Sequence, residues 1–303
     1  MNNFENISID KIVILFNAPS FKGDDYVRKY WKRFDQMIDS GRPVPMGATQ
    51  LYQYAAKWFS DFYIQWGAIQ SRIQTIRIEF NPNKCDLNYL PAFFALLKSH
   101  SFQFARVSRL DIAIDYFRYL NPLCWRCANT RKKNHFLDGD LLKTLYFGAS
   151  SSDLQIRVYD KSFELKEKIG LDLGTDFWRV EAQIKGIGGE PFNLIDDQHV
   201  SSFNPFDRLS FYDQFGFKPE GQGAYNAFVY LARAYGISFA ASLYHKQTKD
   251  KYLAQLKQDT AALPFHEPAE IYRNCFNSVY VRLVNRLFDL FQKGQTFSPK
   301  LGV

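Results

Sequence analysis

The sequence predicts an α+β fold: a mainly antiparallel sheet with flanking helices, followed by a helical C-terminal region. Two observations carry this expectation. Segments alternating apolar and polar residues recur between residues 73 and 185, the period of two that sends successive side chains to opposite faces of a strand. After about Gly189 the pattern changes to helical spacing. The expected division is therefore an α+β domain over residues 1–190 and a mainly helical region over 191–303. The chain has 303 residues, of which 46% are hydrophobic and 23% charged, enough for a substantial core.

In chain order, Lys11–Phe16 is a short apolar run ending before Pro19 and predicts a buried strand. Residues 24–39 predict an amphipathic helix, with Tyr26, Tyr30, Trp31, Phe34 and Ile38 on one broad face. A Gly/Pro loop follows at Gly41–Gly47, and the aromatic-rich stretch 50–66 is ambiguous between strand and helix. Ile73–Phe80 alternates and stops at Asn81-Pro82-Asn83, a strand and its turn. Leu90–Ser99 reads as a helix. Val107–Phe117 puts Leu110, Ile112 and Ile114 on one face and Asp111, Ala113 and Asp115 on the other. Residues 118–140 are polar and basic and read as a connection. Strands are expected at Lys143–Gly148, Leu154–Lys161 and Phe177–Lys185, with a helix starting near Phe163. Helical periods dominate at 224–235, 249–261 and 268–293.

The net charge is +7, which favours polyanionic partners through counterion release. The basic residues fall in short groups: Arg28, Lys29, Lys32 and Arg33; Arg131, Lys132 and Lys133; Lys161, Lys166 and Lys168; Lys246, Lys249 and Lys251. Each group also reads as a solvated helix face or loop. The 29 Phe, 18 Tyr and 5 Trp supply large rings for a core, and some could stack on exposed bases. Four cysteines are too few for a disulfide scaffold, and Cys124–Cys127 lacks the second pair or histidines of a zinc site. The N-terminus has no signal-peptide pattern, and no apolar run approaches the roughly 18 residues of a membrane span. A cytoplasmic protein with no membrane partner is the expectation.

Three strands present polar faces with reactive groups: Asp111 and Asp115; Arg157, Tyr159 and Lys161; Arg179 and Glu181. Such a face can be solvated and laced with cross-strand ion pairs. It can also carry chemistry. Carboxylates on neighbouring strands suit a hard divalent cation. Arg and Lys neutralise phosphate oxygens. A tyrosine hydroxyl, with an ordinary pKa of about 10, needs activation before it attacks phosphorus.

The run KTLYFGASSSDLQIRVYDKSFE (143–164) resembles the signature of the Rep_trans family of plasmid and phage replication initiators. A glycine-ending strand, a serine-containing turn and an R-x-Y-[ND]-K strand there precede an acidic residue. VSRLDIAIDYF (107–117) is similar to that family's T-R-x-D-x-A-x-D strand, and WRVEAQIK (178–185) to its [WV]-R-x-E-x-x-x-K strand. IRIEFNPNKC (76–85) departs from a further family segment, having Asn-Pro-Asn where a Gly-rich turn is usual. The resemblance spans residues 73–186.

It implies an HUH-like nicking-closing enzyme without the paired histidines, and His100, His135, His199, His245 and His266 are indeed scattered. Tyr159 takes the nucleophile's position, and Arg157, Lys161 and Arg179 take phosphate-binding positions. The shared polar face suggests Asp111, Asp115 and Glu181 as ligands of magnesium or manganese. The expected product is a 5′-phosphotyrosine ester that initiates rolling-circle replication. The expected partner is origin DNA, as a single-stranded nick site with flanking duplex; a host helicase and a second copy of the chain are further possible partners. A mobile-element relaxase shares these motifs. A water-using metal nuclease and a non-catalytic DNA-binding protein remain alternatives from other classes.

Overall fold

The computed structural model describes residues 6–17, 44–46, 49–58, 62–70, 76–95, 97, 101–130, 132–139, 141–186, 190–212, 223–260 and 265–296. The helix expected over 24–39, its basic group and Arg131 lie outside the described residues. The elements run β1 (Asn6–Phe16), β2 (Val44–Pro45), β3 (Tyr52–Trp58), β4 (Phe62–Ala68), β5 (Ile76–Phe80), α1 (Leu90–Phe94), β6 (Arg106–Tyr116), β7 (Trp125–Cys127), β8 (Lys133–Asp138) and β9 (Leu141–Phe147). They continue with β10 (Leu154–Asp160), α2 (Lys161–Ile169), β11 (Trp178–Ile184), β12 (Phe192–Asn193), α3 (Asp197–Ser202) and β13 (Leu209–Phe211). The C-terminal helices are α4 (Ala224–Tyr235), α5 (Ile237–Ser242), α6 (Lys246–Thr260), α7 (Pro268–Ile271) and α8 (Asn277–Thr296), the last two joined by a π-turn at Tyr272–Phe276.

Two compact units interleave along the chain. The first comprises Met1–Ile7, Ala113–Ala182 and Asn204–Cys275; the second comprises Ser8–Ile112, Gln183–Phe203 and Phe276–Val303. Both therefore draw on the strand-rich and the helix-rich parts of the sequence. Strands β6 and β11 each contribute residues to both units.

In the first unit the strand order is β6-β11-β10-β9-β8. β9 pairs antiparallel with both β8 and β10. A second small sheet pairs β7 with β13. Residues 118–140 thus hold two strands instead of a plain connection. β8 escaped the sequence reading because most of its side chains are exposed, so no buried alternation marks it. The turn from β9 to β10 requires Gly148. Its φ is +93°, and a Cβ there would lie 2.7 Å from the Leu154 carbonyl oxygen. The helices of this unit pack on Phe228, Val229, Ala232, Ile237, Ala240 and Leu256. Tyr116, Trp125 and Phe211, on β6, β7 and β13, form a connected ring cluster with Phe265.

In the second unit the order β2-β3-β4-β5-β1 leads to β6. The ambiguous stretch 50–66 is a hairpin, β3 pairing antiparallel with β4. α8 buries Tyr280, Leu283, Leu287, Leu290 and Phe291, the i, i+3, i+4, i+7 stripe of an amphipathic helix. Phe94, Phe102 and Phe291 meet there at 5.2–6.4 Å between ring centres. Many of the chain's phenylalanines are accordingly core residues. No helix among the described residues is long and apolar enough to cross a membrane.

Candidate active site

β10 buries Ile156 and Val158 on one side and carries Arg157 and Tyr159 on the other. Its pairing with β9 sets Arg157 opposite Tyr146 and Tyr159 opposite Thr144. The strand ends one residue earlier than its alternation suggests. The Asp160 side chain accepts hydrogen bonds from the Phe163 N–H at 2.9 Å and the Ser162 hydroxyl at 2.6 Å, which caps α2. Lys161 is therefore the first residue of a helix, not the last of a strand. Its ammonium nevertheless lies 5.6 Å from the centre of the Tyr159 ring. Gly170, left-handed at φ +69°, closes the other end of α2.

The Tyr159 hydroxyl donates to Glu181 Oε2 at 3.3 Å. Arg157 Nη2 donates to both oxygens of that carboxylate, at 2.7 and 2.6 Å. The Arg157 guanidinium stands 4.7 Å from the Tyr159 ring centre. Tyr159 and Glu181 are each only 4% exposed. Tyr159 and Glu181 are thus enclosed, whereas the Arg157 side chain beside them is 36% exposed. Burial pushes the Tyr159 hydroxyl well above its ordinary pKa, and the Glu181 charge adds to the rise; Arg157 and Arg179 oppose it. The tyrosine rests as a neutral hydroxyl. Burial works against the Arg157 charge, but Glu181 outweighs it and holds the guanidinium protonated. Among the described residues, the Arg157 Nε is a buried donor with no acceptor.

The remaining expected residues are also paired. Arg179 reaches Asp115 through Nε at 2.5 Å and Nη2 at 2.8 Å. Arg109 holds Asp111 in the same two-pronged way, at 2.8 and 2.7 Å, within the second unit. Arg157, Tyr159, Lys161, Arg179, Asp115 and Glu181 all belong to the first unit, whereas Asp111 belongs to the second. Among the described residues no three of His, Cys, Asp and Glu gather as a metal cluster.

Over part of its length the chain resembles replication initiation proteins. It is 29% identical over 133 residues to one from Staphylococcus aureus, a match covering 42% of this chain and 42% of that protein. A second from the same organism is 28% identical over 131 residues, covering 41% and 40%. The chain thus spans about two fifths of the length of these relatives. A solved structure, the rolling circle replication initiator protein from Geobacillus stearothermophilus, aligns with TM-score 0.43 and 17% identity over 73% of this chain and 90% of that one. The chain matches no protein-family model.

Three residues around Tyr159 were not among the expected site residues, although Asp160 and Glu164 occupy the [ND] position of R-x-Y-[ND]-K and the acidic position after it. Glu164 receives Lys161 and Lys168, each at 2.5 Å. Burial alone would raise the Glu164 carboxyl, but these two lysines hold it down at about 2. Its spacings of three and four residues on a helix were a readable signal. Asp160 was readable as a cap, standing just before a helix start. Lys143, which donates to Asp160 at 3.0 Å, had no local signal, because its partner is 17 residues away.

Cys124 and Cys127 are buried thiols, not a disulfide. Burial raises the Cys127 thiol despite neighbouring cations, the profile of an unreactive structural cysteine.

Proposed function

We propose that this chain nicks one DNA strand with Tyr159 and keeps the cut end as a 5′-phosphotyrosine ester, the first step of rolling-circle replication. The observation that carries this reading is the Tyr159 hydroxyl donating to Glu181, with the Arg157 and Lys161 cations 4.7 and 5.6 Å from its ring centre. An acceptor carboxylate, a neutral nucleophile and flanking cations are the groups that phosphoryl transfer to tyrosine needs. The partial similarity to replication initiation proteins supports the biological setting, and the motifs at 107–117, 143–164 and 178–185 support membership of Rep_trans.

In the proposed step the Tyr159 oxygen attacks the scissile phosphorus and its proton passes to Glu181. The bond from phosphorus to the 3′-oxygen breaks, and that oxygen leaves as a hydroxyl, taking a proton from water. Arg157 and Lys161, whose cations flank the Tyr159 ring, neutralise the non-bridging oxygens. Arg179 holds Asp115 and lowers the cost of phenolate character at Tyr159. The oxygen-only donor set is chemically suited to magnesium or manganese. Asp115 and Glu181 are the carboxylates nearest Tyr159, but both oxygens of each already accept from Arg179 or Arg157, so a cation that would polarise the phosphate would have to displace those arginines.

Tyr159→Phe removes the attacking oxygen but keeps the ring. The expected result on supercoiled DNA carrying the chain's own origin is loss of nicking with DNA binding retained. EDTA should stop cleavage by the unaltered chain. Nicking by the Phe variant at the wild-type rate overturns the assignment.

The burial of Tyr159 and the pairing of each carboxylate favour one second reading, a DNA-binding protein whose ion pairs are structural. It predicts binding without cleavage in both proteins. A mobile-element relaxase shares the chemistry and differs only in the DNA it acts on.

A further inference from the structure

At the turn between β9 and β10 the first unit holds a cavity of about 390 Å³. Asn129, Thr130, Lys132, Ser151, Ser152 and Arg208 line its polar part, and the buried Phe147 and Ile156 belong to its apolar part. Ile156 lies on the face of β10 opposite Arg157 and Tyr159, so the cavity is separate from the candidate active site. Backbone hydrogen bonds hold the segments that surround it. The Ala128 N–H donates to the Arg208 carbonyl at 2.7 Å, and the Gly148 N–H to the Lys132 carbonyl at 3.0 Å. The Ala149 N–H donates to the Ser152 hydroxyl at 3.2 Å.

The charge around this cavity has one sign. No carboxylate is among the described residues that line it. Lys133 adds a further cation, its ammonium 5.5 Å from the centre of the Phe147 ring. Arg126, Lys133 and Arg208 all act on the thiol of Cys127, another lining residue. Lys143, Arg157, Lys161, Arg179 and Arg273 of the same unit each hold a carboxylate. Arg126, Lys132, Lys133 and Arg208 form no ion pair among the described residues. Asp207, beside Arg208 in sequence, is taken by Arg273. Burial and Arg126 both disfavour the Lys133 charge, a penalty that an arriving anion relieves.

We propose that this cavity holds a backbone phosphate of the DNA duplex flanking the nick site. Lys132 and Arg208 supply the compensating charge. The Thr130 and Ser151 hydroxyls and the Asn129 amide are donors for the remaining phosphate oxygens. Tyr159 lies on the opposite sheet face, so the phosphate held here belongs to a different stretch of DNA from the one it attacks. Such a contact reads no base; it fixes where the duplex lies. The assignment rests on the DNA reading above, but it needs no chemistry at Tyr159.

The test uses the full chain in a Tyr159→Phe background, so that no covalent adduct interferes. Binding of a fluorescein-labelled duplex of mixed sequence is followed by anisotropy across a salt series, with and without Lys132→Gln and Arg208→Gln together. Both side chains are exposed, and an unchanged melting temperature confirms that the double variant folds. The expected change is a salt dependence flatter by about 0.9 in log affinity against log salt, the value for one duplex phosphate. In parallel, lysine acylation of the chain with its cavity intact is mapped by mass spectrometry, alone, with the duplex and with excess inorganic phosphate. Slower acylation of Lys132 in the presence of duplex supports the proposal. An unchanged salt dependence, a change confined to oligothymidylate, or Lys132 acylated equally with and without duplex overturns it. Protection by inorganic phosphate but not by duplex assigns the cavity to a free anion and overturns it too. A parent chain that binds no DNA overturns this site and the DNA reading together. Binding with no effect at the cavity overturns the site alone and leaves Tyr159 chemistry standing, because the nicking assay reads that separately.

Discussion

At the residue scale the account turns on a tyrosine that is hard to ionise. Tyr159 is enclosed with its hydroxyl on Glu181, so free phenolate is not the resting nucleophile. Its pKa lies above the ordinary 10.0 in the folded chain. The neutral form is the one that folding favours, so this contribution to stability is fully present below pH 10. It is lost as the pH rises through the higher folded value. Absorbance titration of the wild type against Tyr159→Phe should therefore give a difference spectrum that stays flat through about pH 10 and develops only above it. A phenolate difference complete by pH 10 contradicts the enclosure. The convergence of Arg157, Tyr159 and Glu181 was legible from period-two alternation on two strands. The pairing of each carboxylate with one arginine was not. Spacing within a strand identifies a face but not which neighbour across the sheet a side chain takes. Asp111 shows the limit, since its partner Arg109 lies two residues away on its own strand.

At the element scale the site depends on how β10 begins and ends. Gly148 sets the turn before it, and Asp160 stops it and starts α2. The alternation of LQIRVYDK predicted a strand through Lys161, because alternation alone carries no stop signal. The stop lies in a side-chain-to-backbone bond that competes with the ladder. β8 was missed for the opposite reason, being a strand with little buried surface to show. Gly148→Ala should destabilise the chain by roughly 1–3 kcal/mol, from the left-handed φ and the close carbonyl together. Urea unfolding reads this directly: a lower midpoint is expected, and a midpoint equal to the wild type would mean that the turn is built differently.

At the scale of the whole molecule, the strands carry the residues proposed for phosphate chemistry, and phosphates carry no sequence. Origin choice then falls to groups that reach base edges or sense duplex shape. The helical region after about residue 190 is our proposed location for them. Lys246, Lys249 and Lys251 cluster in the first turns of α6, where Lys246 and Lys251 are exposed. Neutralising all three should weaken duplex-origin binding and flatten its salt dependence by about 0.9 for each phosphate left without its lysine. Cleavage of a pre-melted nick site should persist. Equal loss on both substrates, or on neither, would move duplex recognition to another part of the chain.

The helical periods at 224–235 and 249–261 were legible in the sequence, and both are helices. The interleaving of the two units was not, because which distant segments pack together leaves no local pattern. The most direct measurement of the central claim is mass mapping of the chain after incubation with single-stranded origin DNA and manganese. The account predicts a nucleotide adduct on the peptide containing Tyr159, joined through a 5′-phosphate. Cleaved DNA with the adduct on a different residue, or with no adduct at all, would contradict it.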